Sequence, residues 1–97
     1  VLVIDCLTLW LSNILMAGRD IPRESGALIS AMEATRGKTH VFVVSNEVGL
    51  GIVPDNALAR AFRDNLGRAN QLVAAAAEVA VFMAAGIPIV LKGALPG

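Results

Sequence analysis

The sequence lacks the features that define several protein classes. It has a single cysteine, which excludes an internal disulfide and a metal site built from several cysteines. Eight basic and eight acidic residues leave a formal net charge of zero, so the chain has no basic surface of the kind that nucleic acid requires. We therefore expect no nucleic-acid partner, and the lone cysteine is typical of a protein of the reducing cytoplasm.

The one long apolar stretch is interrupted. Hydrophobic residues make up 56% of the 97 residues, which indicates either a well-buried α/β core or a membrane segment. Residues 72–91 are numerous enough to cross a bilayer and include one charged residue, Glu78. Gly86 and Pro88 lie inside this stretch, its first part continues an amphipathic helix, and residues 79–82 are strand-like. We therefore expect no membrane span.

The hydrophobic pattern predicts alternating strands and helices in one small domain. Short apolar runs predict strands at residues 1–5, 40–44, 78–84 and 87–92, the first two covered on both faces. Amphipathic periodicity predicts helices at residues 8–17, 22–36 and 56–77. Thr8 is the predicted amino-terminal cap of the first helix, and Asp55 is the predicted cap of the third.

The order of these elements predicts an α/β fold. Strand, two helices, strand, loop, helix and strand give three parallel strands joined by right-handed crossovers. Ala85-Gly86 is too short for another crossover, so the fourth strand is predicted to run antiparallel at an edge, where Pro88 is tolerated. The prediction is thus a partial sheet of three parallel strands plus one antiparallel edge strand, packed with helices.

Acidic residues stand at the ends of the first two strands. Asp5 ends the first strand, and Asn46 and Glu47 follow the second. The carboxyl ends of parallel strands share one edge, where open α/β sheets bind their ligands, and neighbouring strands lie about 4.8 Å apart. Asp5 and Glu47 are therefore predicted to reach one Mg²⁺ ion and its nucleotide. The alternative is that Asp5 is a solvated residue at the end of a strand.

The sequence contains no motif that predicts a phosphate-binding loop. Residues 48–54 contain two glycines but match neither GxGxxG nor a loop that ends in GK[ST]. His40, the only histidine, is predicted at the opposite end of its strand from the edge that carries Asp5, so we expect no catalytic role for it. We expect residues 1–97 to form a single partial domain, with the phosphate-loop segment upstream of Val1.

A charged helix face supports a different function. Arg60, Arg63 and Arg68 lie opposite the apolar side of the third predicted helix. Asp64 is spaced for i,i+4 pairs with Arg60 and with Arg68. We interpret this face as a solvated surface. The alternative function is a non-catalytic α/β interaction module that docks a partner on these three arginines.

Three segments of the chain resemble a known enzyme family. They read DCLTLWLSN at residues 5–13, SNEVGLGIVP at 45–54, and NALARAFRD followed by GRANQ within 56–71. Together they resemble the carboxyl-terminal portion of the bifunctional adenosylcobinamide kinase/adenosylcobinamide-phosphate guanylyltransferases of cobalamin biosynthesis. The resemblance extends over nearly the whole chain, and residues 46–54 are its most specific part.

The resemblance implies a function, a fold and site residues. It implies a cytoplasmic, homotrimeric enzyme of RecA-like P-loop NTPase fold that phosphorylates adenosylcobinamide with GTP or ATP. It also implies transfer of GMP from GTP through a guanylyl-histidine to give adenosyl-GDP-cobinamide. Asp5 matches an acidic nucleotide-site position that holds Mg²⁺ through water, and Asn46 and Glu47 match a pair at the substrate or nucleotide rim.

The same resemblance implies that the covalent chemistry is not carried by these residues. The family's phosphate loop and guanylylated histidine lie upstream of Val1, and His40 does not match that histidine. We therefore expect no catalytic residue within this chain, and we expect the 97-residue chain alone to have neither activity.

Overall fold

A computed structural model describes residues 1–47 and 55–95. The elements in these ranges are β1 (Leu2–Asp5), α1 (Leu7–Met16), α2 (Ile21–Ala34), β2 (Val41–Val44), α3 (Ala57–Ala76), β3 (Ala80–Ala84) and β4 (Ile87–Lys92). Each predicted strand and helix is present, which confirms the α/β class. The prediction for residues 48–54, a glycine-containing loop without a phosphate motif, lies outside the described residues.

The strands form two separate sheets, which corrects the predicted topology. β1 pairs with β2 in parallel, and β3 pairs with β4 antiparallel. The prediction of three parallel strands in one sheet is therefore wrong for the described residues, because β3 joins no parallel ladder there. An apolar run identifies a strand locally, whereas its partner is set by contacts distant in sequence, and the pattern carried no information on those.

A tight turn joins β3 to β4. Ala85 and Gly86 both have positive φ, at 53° and 73°, as a two-residue type I′ hairpin turn requires. Glycine adopts this conformation without strain, whereas alanine does so at a cost. The predicted antiparallel fourth strand is confirmed, and Pro88 lies in it opposite Met83.

The core lies between the helices. Leu11 and Ile14 of α1 pack with Leu66 of α3, and Leu11 and Leu66 are fully buried. Trp10 and Phe62 are partly buried against this cluster, so Trp10 is a packing residue. The buried cluster thus lies at the contact between α1 and α3.

The strands are more exposed than the sequence predicts. Val3 of β1 is 57% exposed and Phe42 of β2 is also 57% exposed. The expectation that the first two strands are covered on both faces is therefore wrong for the described residues. The helices therefore do not enclose both faces of β1 and β2 among the described residues.

No helix among residues 1–47 and 55–95 combines the length and the apolar character needed to cross a membrane. Residues 72–91 instead form the end of α3 and most of the β3–β4 hairpin.

Both predicted helix caps are replaced by neighbours. α1 begins after Cys6, one residue earlier than predicted, and Thr8 therefore lies inside the helix. α3 is capped by Asn56, whose side-chain oxygen accepts a hydrogen bond from the Ala59 N–H at 2.8 Å. Asp55 precedes that cap, so its predicted capping role is wrong. Asn and Asp are nearly equivalent as caps, and the sequence alone did not distinguish the two adjacent positions.

Two cations satisfy the carbonyl groups at the end of α3. Lys92 Nζ donates to the carbonyl oxygens of Ala74 and Ala75 at 3.1 and 2.8 Å, and Arg36 Nη2 donates to that of Ala76 at 2.8 Å. The last turn of a helix has unpaired carbonyls and a partial negative charge, so cations are favourable there. These contacts attach the end of β4 and the segment after α2 to α3.

Arg36 also makes ion pairs. Its guanidinium lies 3.0 Å from Glu33 and 3.3 Å from Glu78. The hydrogen bond with Glu33, helped by the charges of Glu33 and Glu78, raises the pKa of Arg36 above its ordinary value, although desolvation opposes this. The arginine therefore stays charged at neutral pH. The pairs are solvent-exposed, and we expect them to add little to stability.

Candidate functional site

The candidate site is the carboxyl edge of the β1–β2 pair. The two strands run in parallel from Leu2 beside Val41 to Asp5 beside Val44. Asp5 is thus the last paired residue of β1, and Asn46 and Glu47 follow the last paired residue of β2. All three are exposed to solvent. The register therefore places the three sequence-predicted site residues at one edge of the strand pair.

Thr8 fixes Asn46 from the side of α1. Thr8 Oγ1 donates to Asn46 Oδ1 at 2.7 Å and accepts from the Asn46 backbone N–H at 3.1 Å. The hydroxyl group thus acts as donor and acceptor to the same residue. This explains why Thr8 lies near the start of α1 without capping it, because its hydroxyl binds the segment after β2.

Asn70 fixes the same segment from the side of α3. Its Nδ2 donates to the Asn46 carbonyl oxygen at 3.0 Å, and its Oδ1 accepts from Ser45 Oγ at 2.5 Å. Both ends of the Asn70 amide are therefore engaged. Together with Thr8, this side chain satisfies the Asn46 backbone N–H and C=O, although neither group has a strand partner beyond Val44.

The edge supplies a hard oxygen ligand but no complete metal cage. In the described ranges, 1–47 and 55–95, no three or more His, Cys, Asp or Glu side chains converge as a metal site. Mg²⁺ fits such an edge, since it keeps several water ligands and takes one or two carboxylates together with substrate phosphates. Asp5, exposed at the end of β1, is a donor of that kind.

The other sequence candidates lie elsewhere. His40 precedes β2 at the opposite end from Asp5, as predicted, and its carbonyl oxygen accepts from the Leu2 N–H at 2.8 Å. On α3, Asp64 pairs with its neighbour Arg63 at 3.0 Å. Arg68 donates to Asn65 at 3.2 Å instead of pairing with Asp64, so that predicted i,i+4 pair is wrong. The Arg68 guanidinium is directed to the Asn65 amide oxygen instead.

The sequence pattern does not single out Thr8, Ser45 or Asn70 as site residues. One signal exists for Asn70, which follows the fully buried Leu66 by four residues and so lies on the same side of α3. A polar side chain beside a buried position requires a hydrogen-bond partner. The identity of that partner depends on tertiary packing, which no local pattern contains.

The fold and the edge define the class of protein, and comparison with known sequences defines the family. The architecture is that of an α/β protein with its candidate ligand edge at the carboxyl ends of parallel strands. Residues 1–91 match the family described as cobinamide kinase / cobinamide phosphate guanyltransferase, CobU. The chain belongs to this family, which confirms the resemblance seen in the sequence.

Characterised relatives are similar over almost the whole of this chain. The bifunctional adenosylcobalamin biosynthesis protein CobP of Pseudomonas aeruginosa is 39% identical over 94 residues, which cover 95% of this chain and 53% of that protein. The corresponding CobU proteins of Salmonella typhimurium and Escherichia coli are 38% and 37% identical and cover 94% and 95% of this chain. This chain spans 58% of each CobU protein. It thus spans little more than half the length of these relatives.

Proposed function

We propose that this chain is part of a bifunctional enzyme of cobalamin biosynthesis. The enzyme phosphorylates adenosylcobinamide with GTP or ATP and then transfers GMP from GTP to give adenosyl-GDP-cobinamide. The observation that carries the proposal is the family match over residues 1–91. The relatives are named bifunctional adenosylcobalamin biosynthesis proteins, in agreement with two linked activities.

Asp5 is the residue to which we assign nucleotide binding. Its exposed carboxylate at the end of β1 suits a Mg²⁺ ion held through water, and Asn46 and Glu47 form the adjoining rim for nucleotide or corrinoid. When bound, Mg²⁺ supplies positive charge that neutralises and orients nucleotide phosphates. In this assignment the chain's own contribution is to orient the ion and nucleotide at the edge, and no covalent step falls on its residues.

The remaining parts of the proposal concern the whole protein. We assign it a RecA-like P-loop fold, in which the phosphate loop and the guanylylated histidine lie outside these 97 residues. The parallel β1–β2 pair with an acid at its carboxyl end supports this assignment. We also assign the whole protein to the cytoplasm and propose that it assembles as a homotrimer.

The structure gives less support to the alternative of a non-catalytic interaction module. It requires Arg60, Arg63 and Arg68 to present positive charge to a partner. The charge of Arg63 is offset by Asp64 at 3.0 Å, and Arg68 is engaged with Asn65 at 3.2 Å. The family match adds further weight to the enzyme.

The test compares the 97-residue chain with the full-length protein that contains it. Each is purified from cells that lack any other member of the family and is incubated with adenosylcobinamide, Mg²⁺ and GTP or ATP. We expect the full-length protein to form adenosylcobinamide phosphate and adenosyl-GDP-cobinamide, and the chain alone to form neither. Products are separated and identified by mass. Turnover by the chain alone would contradict the assignment of the covalent chemistry to other residues, and inactivity of the full-length protein would contradict the function.

A further inference from the structure

The backbone of Asn46 is held by side chains from two helices. It lies two residues beyond Val44, the last residue of β2 with a strand partner. Its N–H donates to Thr8 Oγ1 at 3.1 Å, and its C=O accepts from Asn70 Nδ2 at 3.0 Å. Unpaired backbone groups at the end of an exposed strand normally bind water. Here they bind protein on both sides, which fixes the direction in which the chain leaves the strand.

The two side chains that hold Asn46 are anchored to the buried core. Thr8 precedes the fully buried Leu11 by three residues on α1, and Asn70 follows the fully buried Leu66 by four residues on α3. Residues at these spacings lie on one side of a helix. Because Leu11 and Leu66 pack in the same cluster, Thr8 and Asn70 are attached to the same buried core.

The hydrogen bonds within this group are mutually consistent. The Thr8 hydroxyl accepts from the Asn46 N–H and donates to Asn46 Oδ1, while Asn70 accepts from Ser45 Oγ and donates to the Asn46 C=O. Each donor therefore meets an acceptor, and Asn46 is held through its backbone and through its side chain. Its neighbour Glu47 therefore follows a backbone position that is held on both sides.

We propose that Thr8 and Asn70 are positioning residues for the nucleotide edge. They act through Asn46 and do not touch the nucleotide: by holding its backbone, they keep the end of β2 aligned with Asp5 on β1. This role rests on the proposed function, because it presumes that the edge binds Mg²⁺ and a nucleotide. It also implies that Thr8 protects the Asn46 amide from hydrogen exchange, which is tested without any ligand.

The experiment uses paired variants of the full-length protein. Thr8→Val removes the hydroxyl at nearly constant volume, and Thr8→Ser retains it. Asn70→Ala removes both amide contacts. Its matched control is Asn65→Ala, on the same helix, because the Asn65 amide donates only to the Ala61 carbonyl oxygen within α3 and accepts from Arg68. Circular dichroism verifies that each variant is folded.

Two quantities are measured for each variant. The first is the hydrogen-exchange rate of the Asn46 amide without ligand, followed by NMR. The second is the affinity for GTP in the presence of Mg²⁺, followed by calorimetry. The KM for Mg²⁺·GTP and the kcat are then obtained from initial rates. We expect Thr8→Val to speed Asn46 exchange and to weaken Mg²⁺·GTP binding about tenfold, as loss of an outer-shell partner does at metal sites. KM should rise accordingly while kcat changes less than about twofold, because ground-state binding is what is lost.

Asn70→Ala is expected to weaken Mg²⁺·GTP binding to a similar extent, whereas Thr8→Ser and Asn65→Ala should behave as the wild type. If the wild-type protein binds Mg²⁺·GTP and both Thr8→Val and Asn70→Ala bind it with the same affinity, the positioning role is overturned and the proposed function stands. Unchanged Asn46 exchange in Thr8→Val, or equal losses in Thr8→Ser and Thr8→Val, would also overturn it. Failure of the wild-type protein to bind Mg²⁺·GTP would overturn the proposed function, and the positioning role with it, whatever the exchange rates.

Discussion

Replacing Asp5 by asparagine is expected to lower nucleotide-dependent turnover of adenosylcobinamide by about 100-fold. The substitution keeps the size of the side chain but removes the negative charge at the end of β1. Loss of a residue that holds a metal ion through its outer shell typically costs about 10- to 100-fold in metal affinity or activity. The measurement is the initial rate of the full-length enzyme at saturating adenosylcobinamide, with Mg²⁺·GTP varied.

The matched control for this variant is Asp64→Asn. Asp64 is an exposed carboxylate on α3 that pairs with Arg63, far along the chain from the β1–β2 edge. We expect this variant to turn over within about twofold of the wild type, because an exposed ion pair contributes little. Equal rates for the wild type and Asp5→Asn would remove Asp5 from the nucleotide site.

Truncation of Leu66 is the change expected to destabilise the protein most. Leu66 is fully buried between α1 and α3, in contact with Leu11 and Ile14. Leu66→Ala removes buried methyl groups and leaves a cavity, which typically costs about 2–5 kcal/mol. In so small a core we expect the upper half of that range. The measurement is the change in the free energy of unfolding of the full-length protein in urea.

Leu58→Ala provides the comparison on the same helix. Leu58 is 65% exposed, so its truncation removes little buried area, and alanine is at least as good a helix former as leucine. We expect a change within about 0.5 kcal/mol. Similar losses in both variants would show that Leu66 is not at the centre of the α1–α3 contact.

Most of the local structure could be predicted from the sequence. Apolar runs and helical periodicity located every element within two residues of its observed bounds. The Ala85-Gly86 turn was predictable because two residues between strands permit only a hairpin, and the structure has that hairpin. Such features depend on neighbours along the chain, and the pattern contains those neighbours.

Features that depend on distant contacts were not predictable. The apolar run of β3 identifies a strand, but it does not state that β3 pairs with β4 alone among the described residues. Val3 and Phe42 are apolar and were predicted to be covered, yet each is 57% exposed. In both cases the sequence indicates the local structure and the hydrophobic character of a residue. The packing of other elements determines its strand partner and its exposure to solvent.

The candidate site also has features that the sequence predicts and features that it does not. The shared edge of Asp5, Asn46 and Glu47 followed from the order of the elements, because parallel strands align their carboxyl ends. The contacts from Thr8 and Asn70 join residues 38 and 24 positions away from Asn46. Thr8 was predicted to be a helix cap, and only the tertiary structure brings its hydroxyl to Asn46, in the segment after β2.

The most direct test of the nucleotide edge locates the metal ion itself. Mn²⁺ replaces Mg²⁺ in the isotope-labelled full-length protein with GTP, and the line broadening of each backbone amide is measured by NMR. The account predicts the strongest broadening at Asp5, Cys6 and residues 45–47, because paramagnetic broadening falls steeply with distance from the ion. Broadening centred on the Arg60, Arg63 and Arg68 face, or on the His40 end of β2, would contradict it.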